Sequence, residues 1–282
     1  IRFPAADTFT VETGGSEAIR IDSSGRLLVG TNSARTNFAT TPQFQFEGTD
    51  FASSALSITR NSDDSGRPSL IFGKSRGTSD GSANVVSDGD ALGTIEFTGG
   101  DGTDMARGVI IQAVVDGTPG SNDMPGRLLF YTSADGSQSP TERLRITSTG
   151  GIHFNNAELI ERVKITSGKL SDNTTINLDN GMVHYFTTTE TTTAIPNITT
   201  TVGINTNMAT GDTMSVTIIT TAATAGYSTG ARIDAGATLP VLWNGGDDPS
   251  EGGDGGVDAY TYQIIKTGDA AFTILGNVSN FA

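Results

Sequence analysis

Apolar residues recur two positions apart in several short stretches: Leu56 and Ile58, Ile95 and Phe97, Val216 and Ile218, and the run Tyr260, Tyr262, Ile264. A period of two puts each set on one face of a strand, half-buried against a core. Between them stand clusters of turn formers, such as Asp63-Asp64-Ser65-Gly66, Gly99-Gly100-Asp101-Gly102 and residues 118–126. Gly, Asp, Ser and Pro each favour a backbone conformation that reverses the chain. Val109–Val115, Leu128–Tyr131 and Leu70–Phe72 are apolar on both faces, the pattern of central strands covered on two sides. The expectation is an all-β chain. Ala157–Lys164 departs from it, with Leu159 and Ile160 followed by Val163 at helical spacing. It reads either as a short helix or as a strand leading into Ile165.

The most informative pattern is an internal repeat. Residues 16–29 (SEAIRIDSSGRLLV) align without gaps onto residues 141–154 (TERLRITSTGGIHF) at a constant offset of 125. Glu, Arg, Ile, Ser and Gly coincide at 17/142, 20/145, 21/146, 23/148 and 25/150, and Ile19/Leu144, Leu27/Ile152 and Val29/Phe154 keep apolar character. Each copy predicts a β-hairpin, an alternating strand, a turn closed by Gly at positive φ, and an alternating return strand. A lone hairpin is unstable in water. Two copies bracketing about 110 residues therefore predict a modular array with a globular unit between hairpins.

Composition sharpens this picture. Thr makes up 42 of the 282 residues, and 24 of the 42 lie from residue 157 onward, a shift that places a domain boundary near residue 155. The chain is only 35% hydrophobic, so its own core should be thin. The expected division is a shaft segment with the first hairpin (1–37), a β-sandwich-like module (38–140), the second hairpin and a connector (141–167), and a β-rich tip domain (168–282). A net charge of −14 repels phosphates and anionic headgroups, so neither nucleic acid nor membrane insertion is expected. No Cys is present, which removes disulfide, zinc-thiolate and thiol-nucleophile chemistry. No apolar run approaches a membrane span, and the absence of an initiating Met fits a fragment or processed product.

Candidate chemistry is sparse. Gly73-Lys74-Ser75 ends like a phosphate-binding loop, but Pro68 stands where the first Gly is needed and another turn cluster follows instead of a helix. His153 and His184 are the only histidines and lack ligand spacing. The loop from Asn244 to Asp258 carries five carboxylates and six glycines; it could ligate calcium or remain a solvated tip loop. No cofactor is called for. Trp243, the only tryptophan, adjoins this loop and reads either as core or as a flat platform for a sugar ring. Trp243, Asn244, Asp247, Asp248, Glu251, Asp254 and Asp258 are the candidate receptor contacts. No catalytic residue stands out, since with 31 acidic residues some carboxylate pair meets glycosidase spacing by accident.

At IRFPAADT (1–8), at both hairpin copies, at PGSNDMPGR (119–127) and at SPTERLRI (139–146), the chain resembles tail-fibre-like structural proteins of tailed bacteriophages. GKLSDNT (168–174), HYFTTTE (184–190), SVTIITT (215–221) and YTYQIIKT (260–267) are similar to the terminal domains of virion proteins from phages of cyanobacteria. The resemblance implies an intertwined homotrimeric fibre in the virion, bound to other virion proteins at its N-terminal end, with a distal β-sandwich domain meeting a host-surface glycan. It transfers no catalytic residue. A neck, baseplate or capsid-attached fibre without receptor role, and a glycan depolymerase, are the alternatives. Three copies would complete the thin core, with Ile19, Ile21, Leu144 and Ile146 at or near the subunit interfaces.

Overall fold

The structure, a computed structural model, describes residues 1–281. It is all-β. Within Ile1–Leu159, the first compact unit, a four-stranded sheet runs in order β1 (Phe9–Thr13), β2 (Ser16–Ile21), β3 (Leu27–Val29), β4 (Phe44–Phe46). A five-stranded antiparallel meander follows as β5 (Ala91–Gly100), β6 (Met105–Val115), β7 (Gly126–Thr132), β8 (Thr141–Ile146), β9 (Ile152–Phe154). Both hairpin copies form, as β2–β3 and β8–β9, in one register: Ile19, Arg20 and Ile21 face Val29, Leu28 and Leu27, as Leu144, Arg145 and Ile146 face Phe154, His153 and Ile152.

The repeat extends one strand beyond the sequence match. β1 and β7 pair with β2 and β8 in equivalent registers, and in each copy one residue bulges from the ladder, Ala18 in the first and Arg143 in the second. The bulge explains two of the shared identities. Residues three apart normally point to opposite faces, but the extra residue brings Glu17 and Arg20, and likewise Glu142 and Arg145, to one face. Both pairs close as two-point ion pairs, at 2.7 Å each in the first copy and 2.6 and 2.7 Å in the second. Gly25 and Gly150 close the turns at φ 74° and 83°. The shared Gly answers a left-handed turn that other residues enter at a cost.

Several expectations for this unit need correction. Residues 49–90 contain no strand: Leu56, Ile58, Leu70, Ile71 and Phe72 are all exposed, because neither the alternation at Leu56 and Ile58 nor the apolar run Leu70–Phe72 meets a partner strand within the chain. Residues 38–140 therefore do not form two facing sheets, and the second hairpin is the edge of the meander instead of a separate connector. Val109–Val115 and Leu128–Tyr131 do occupy inner strands of that sheet.

The second unit, Ile160–Ala282, is one nine-stranded sheet. Its members are β10 (Val163–Thr166), β11 (Thr175–Asn177), β12 (Val183–Glu190), β13 (Asn197–Thr199), β14 (Thr213–Ala222), β15 (Gly230–Ile233), β16 (Thr238–Trp243), β17 (Val257–Gly268) and β18 (Ala271–Phe281). The order is β10-β12-β14-β17-β18-β16-β15-β13-β11. Ala157–Lys164 is not helical; it runs into β10, which opens this sheet. The one α-helical turn among the described residues, Ile204–Asn207, lies where no periodicity announced it. Phe186, Val216, Ile218, Tyr260, Tyr262 and Ile264 from one stretch of the sheet share a core with Ile176, Ile198 and Ile233 from the other, so the sheet curls over on itself and wraps a single interior.

Candidate assembly and receptor-contact surfaces

Burial divides the two units sharply. Among the described residues, Leu28, Val86, Val114, Val115 and Leu129 are the only buried apolar residues of the first unit, against 23 exposed large apolar residues; in the second, 19 are buried and seven exposed. The exposed set is organised. In the meander, Ile95, Ile111, Phe130, Leu144 and Phe154 stand opposite one another across all five strands, flanked by Phe97–Val109 on one side and the row Ala113–Leu128–Ile146–Ile152 on the other. This is one continuous apolar sheet face. The opposite face is mixed, carrying the Arg107–Glu96 and Arg145–Glu142 pairs and the Tyr131–Gln112 hydrogen bond beside Ile110 and the buried Val114 and Leu129. Phe72 lies against the apolar face at Gly93, where a Cβ would meet its own Cβ at 2.6 Å. With Leu92, Ile95, Ile111, Ala113 and Leu128 it lines an open cavity of about 320 Å³.

The first sheet repeats the arrangement. Ile19 and Ile21 stand level with Phe9, Val11, Leu27, Val29, Phe44 and Phe46 on one face. The four residues expected at interfaces thus lie on the two apolar faces, with Ile19, Ile21 and Ile146 exposed and Leu144 half-buried in the single chain.

The candidate receptor contacts separate. Trp243 is no exposed platform: it is 7% exposed, sits edge-on to Tyr260 and Tyr262 at 6.2 and 5.9 Å, and donates from Nε1 to Thr229 O. Its flat face is consumed by core packing. Asp258 is fully buried and accepts from Gly253 N at 3.1 Å and Asn280 Nδ2 at 2.8 Å, so it pins the loop to the sheet and cannot meet a ligand. Asn244, Asp247, Asp248, Glu251 and Asp254 remain exposed. Asn244 Nδ2 donates to Asn277 Oδ1 and Asp254 Oδ1 accepts from Thr224 Oγ1. Among the described residues no three His, Asp or Glu side chains converge as metal ligands.

Two buried charges escaped the sequence reading. Glu190 is 2% exposed and accepts from Ser171 N and Oγ, Thr191 N, and Thr192 N and Oγ1, all within 3.1 Å. Burial alone would raise its pKa; these donors outweigh burial and hold the carboxyl below its ordinary value. Its signal was a lone acid inside the Thr run 187–193. Lys266 donates to Asn205 O and, at 2.9 Å, to Met208 O at the end of the helical turn. It continues the period of two that runs through Tyr260, Tyr262 and Ile264.

No protein-family model matches the chain, and no curated protein matches it. Among solved structures, the carboxy-terminal domain of the bacteriophage T5 L-shaped tail fibre is similar at 13% sequence identity, covering 54% of this chain and 67% of that chain with a TM-score of 0.38.

Proposed function

We propose that the chain is a non-enzymatic structural fibre protein of a phage virion, a homotrimer whose C-terminal unit attaches to a host-surface glycan. The observation that carries this reading is the inversion of burial between the units. A first unit with 23 exposed large apolar residues and five buried ones gains its core from neighbouring copies of itself. The second unit, with its own interior, is built to stand at the end of an assembly. Three copies close a ring of like contacts about one axis, which covers the apolar faces and leaves no growing end. The two hairpins, which resemble those of phage fibre proteins, belong to the unit that needs partners. Exposed Asp247, Asp248, Glu251 and Asp254 supply acceptors for sugar hydroxyls at the free end.

Light scattering tests the assembly. Three copies of the 29.2 kDa chain give a mass of about 88 kDa for a closed trimer. An Ile95→Asp, Leu128→Asp double variant should fall to the mass of one chain while the second unit keeps its melting transition. A wild-type protein that is stably monomeric would sink the fibre reading.

A further inference from the structure

β10 and β11 are the two ends of the nine-stranded sheet, and among the described residues neither has a hydrogen-bonded strand on its outer side. Where the curled sheet brings these ends near one another they leave a cleft of about 390 Å³, floored by His184 and Phe186 and walled by Lys164 and three asparagines, Asn173, Asn177 and Asn180. It continues along β10 past Lys164 to Arg162.

The polar groups in this cleft are positioned and only partly used. His184 is 4% exposed, and its Nε2 lies 3.1 Å from Gly181 O. A carbonyl can only accept, so the proton sits on Nε2 and Nδ1 is left as an acceptor. Burial, together with the nearby Lys164, lowers the His184 pKa against the Gly181 carbonyl, keeping the ring neutral at neutral pH. Asn177 spends Oδ1 on Asp179 N, which leaves its Nδ2 as a donor. Asn173 and Asn180 spend Nδ2 on the carbonyls of Lys169 and Asn177, which leaves their Oδ1 atoms as acceptors. One cavity therefore holds both donors and acceptors, the combination a ring of hydroxyls requires.

Charge selects further. All nine ion pairs among the described residues fall between Arg2 and Arg145, so Arg162 and Lys164 make no contact ion pair, although Asp179 lines the same recess. Residues 160–282 hold five basic and twelve acidic residues, and three of the five basic ones lie between 162 and 169. The acid beside the cleft, Asp179, accepts from Thr201 N at 2.8 Å. Lys164 shares its sheet position with His184, on the face that turns inward through Ile218 and Tyr260, so its ammonium belongs to the cleft.

We propose that this cleft binds a carboxylate-bearing sugar residue of a surface polysaccharide, its carboxylate on Lys164 and Arg162 and its hydroxyls on the asparagines and His184 Nδ1. This rests on the glycan-attachment reading and moves the contact away from the acidic loop, which would repel such a sugar. A peptide strand added to the open edges fits less well, because the walls offer amides and cations instead of alternating apolar pockets.

Titration calorimetry on the full chain tests it, with uronate- and sialate-bearing oligosaccharides, their methyl esters and maltotriose as probes. An acidic probe should bind, with the esters and maltotriose at least tenfold weaker. Losing one charged hydrogen-bond partner should make Lys164→Gln about tenfold weaker as well. Asp63→Asn, an exposed acid of the first unit, should bind as the wild type does. Lys164 is exposed, so its exchange leaves the fold intact, and unchanged thermal melting verifies this. Retention of wild type and Lys164→Gln alike on host-envelope polysaccharide, with no preference for acidic probes, would overturn this site and leave the glycan reading standing. No retention on any saccharide would overturn both.

Discussion

At the scale of single residues, Glu190 shows how a buried charge can belong to a fold without a counter-ion. Oε1 accepts four hydrogen bonds and Oε2 one, all from donors that cannot accept in return, apart from the hydroxyls. Glu190→Gln places an amide NH2 against at least one of these donors, and leaving buried groups mismatched costs about 2–3 kcal/mol. The expected result is a lower melting temperature at neutral pH. The wild-type carboxyl titrates below its ordinary value of 4.5. Its contribution is therefore complete above pH 4.5 and is lost as pH falls through the folded pKa. Melting of wild type and Glu190→Gln should accordingly converge on acidification; a constant gap from pH 7 to pH 3 would contradict this. None of it was legible beforehand, because a Glu among threonines carries no mark of the backbone that will turn toward it. Trp243 was legible as a large apolar residue, but not on which side of the sheet it would fall.

At the scale of elements, the two hairpins were readable because their identities are structural necessities: a turn Gly at positive φ and a Glu–Arg pair made neighbours by a bulge. That the repeat includes the preceding strand was not, since Phe9 and Val11 match Leu128 and Phe130 only in polarity and at a different offset, 119. Residues 49–90 were misread for the opposite reason, as alternation marks a face but cannot say that a partner strand exists. Two glycines separate conformational from steric demand. Gly150 has open space around it, so Gly150→Ala meets only the left-handed φ, at about 1 kcal/mol. Gly276 has an ordinary φ, but a Cβ there would lie 2.4 Å from Val241 Cγ1 and 2.7 Å from the Trp243 ring. Overpacking of this kind costs about 1–3 kcal/mol, so Gly276→Ala should lower stability more than Gly150→Ala in chemical denaturation of the full chain. The reverse order would mean that Trp243 yields freely.

At the scale of the whole chain, the low apolar fraction pointed to a thin core, and the Thr shift to a boundary near 155, close to the division at Leu159–Ile160. Composition alone could not say that the deficit falls on one side. With 19 buried apolar residues against seven exposed large ones, residues 160–282 expressed alone should give a cooperative thermal transition and a sharp, β-rich spectrum. Residues 1–159 expressed alone should either associate or remain loosely ordered at low concentration. A well-ordered monomer of 1–159 would require a core that five buried apolar side chains cannot supply.

The two three-stranded copies differ in one dimension. β1 and β2 are joined by Gly14-Gly15 alone, at φ 59° and 84°, whereas β7 and β8 are joined by eight residues, 133–140, with the ladder, bulge and ion pair on either side unchanged. Closing the longer loop costs only about 1 kcal/mol more, since each doubling adds roughly 0.6. That connection is a graft point: foreign sequence can be spliced there for display, and a lineage can vary it freely, without renegotiating the register that holds the sheet together.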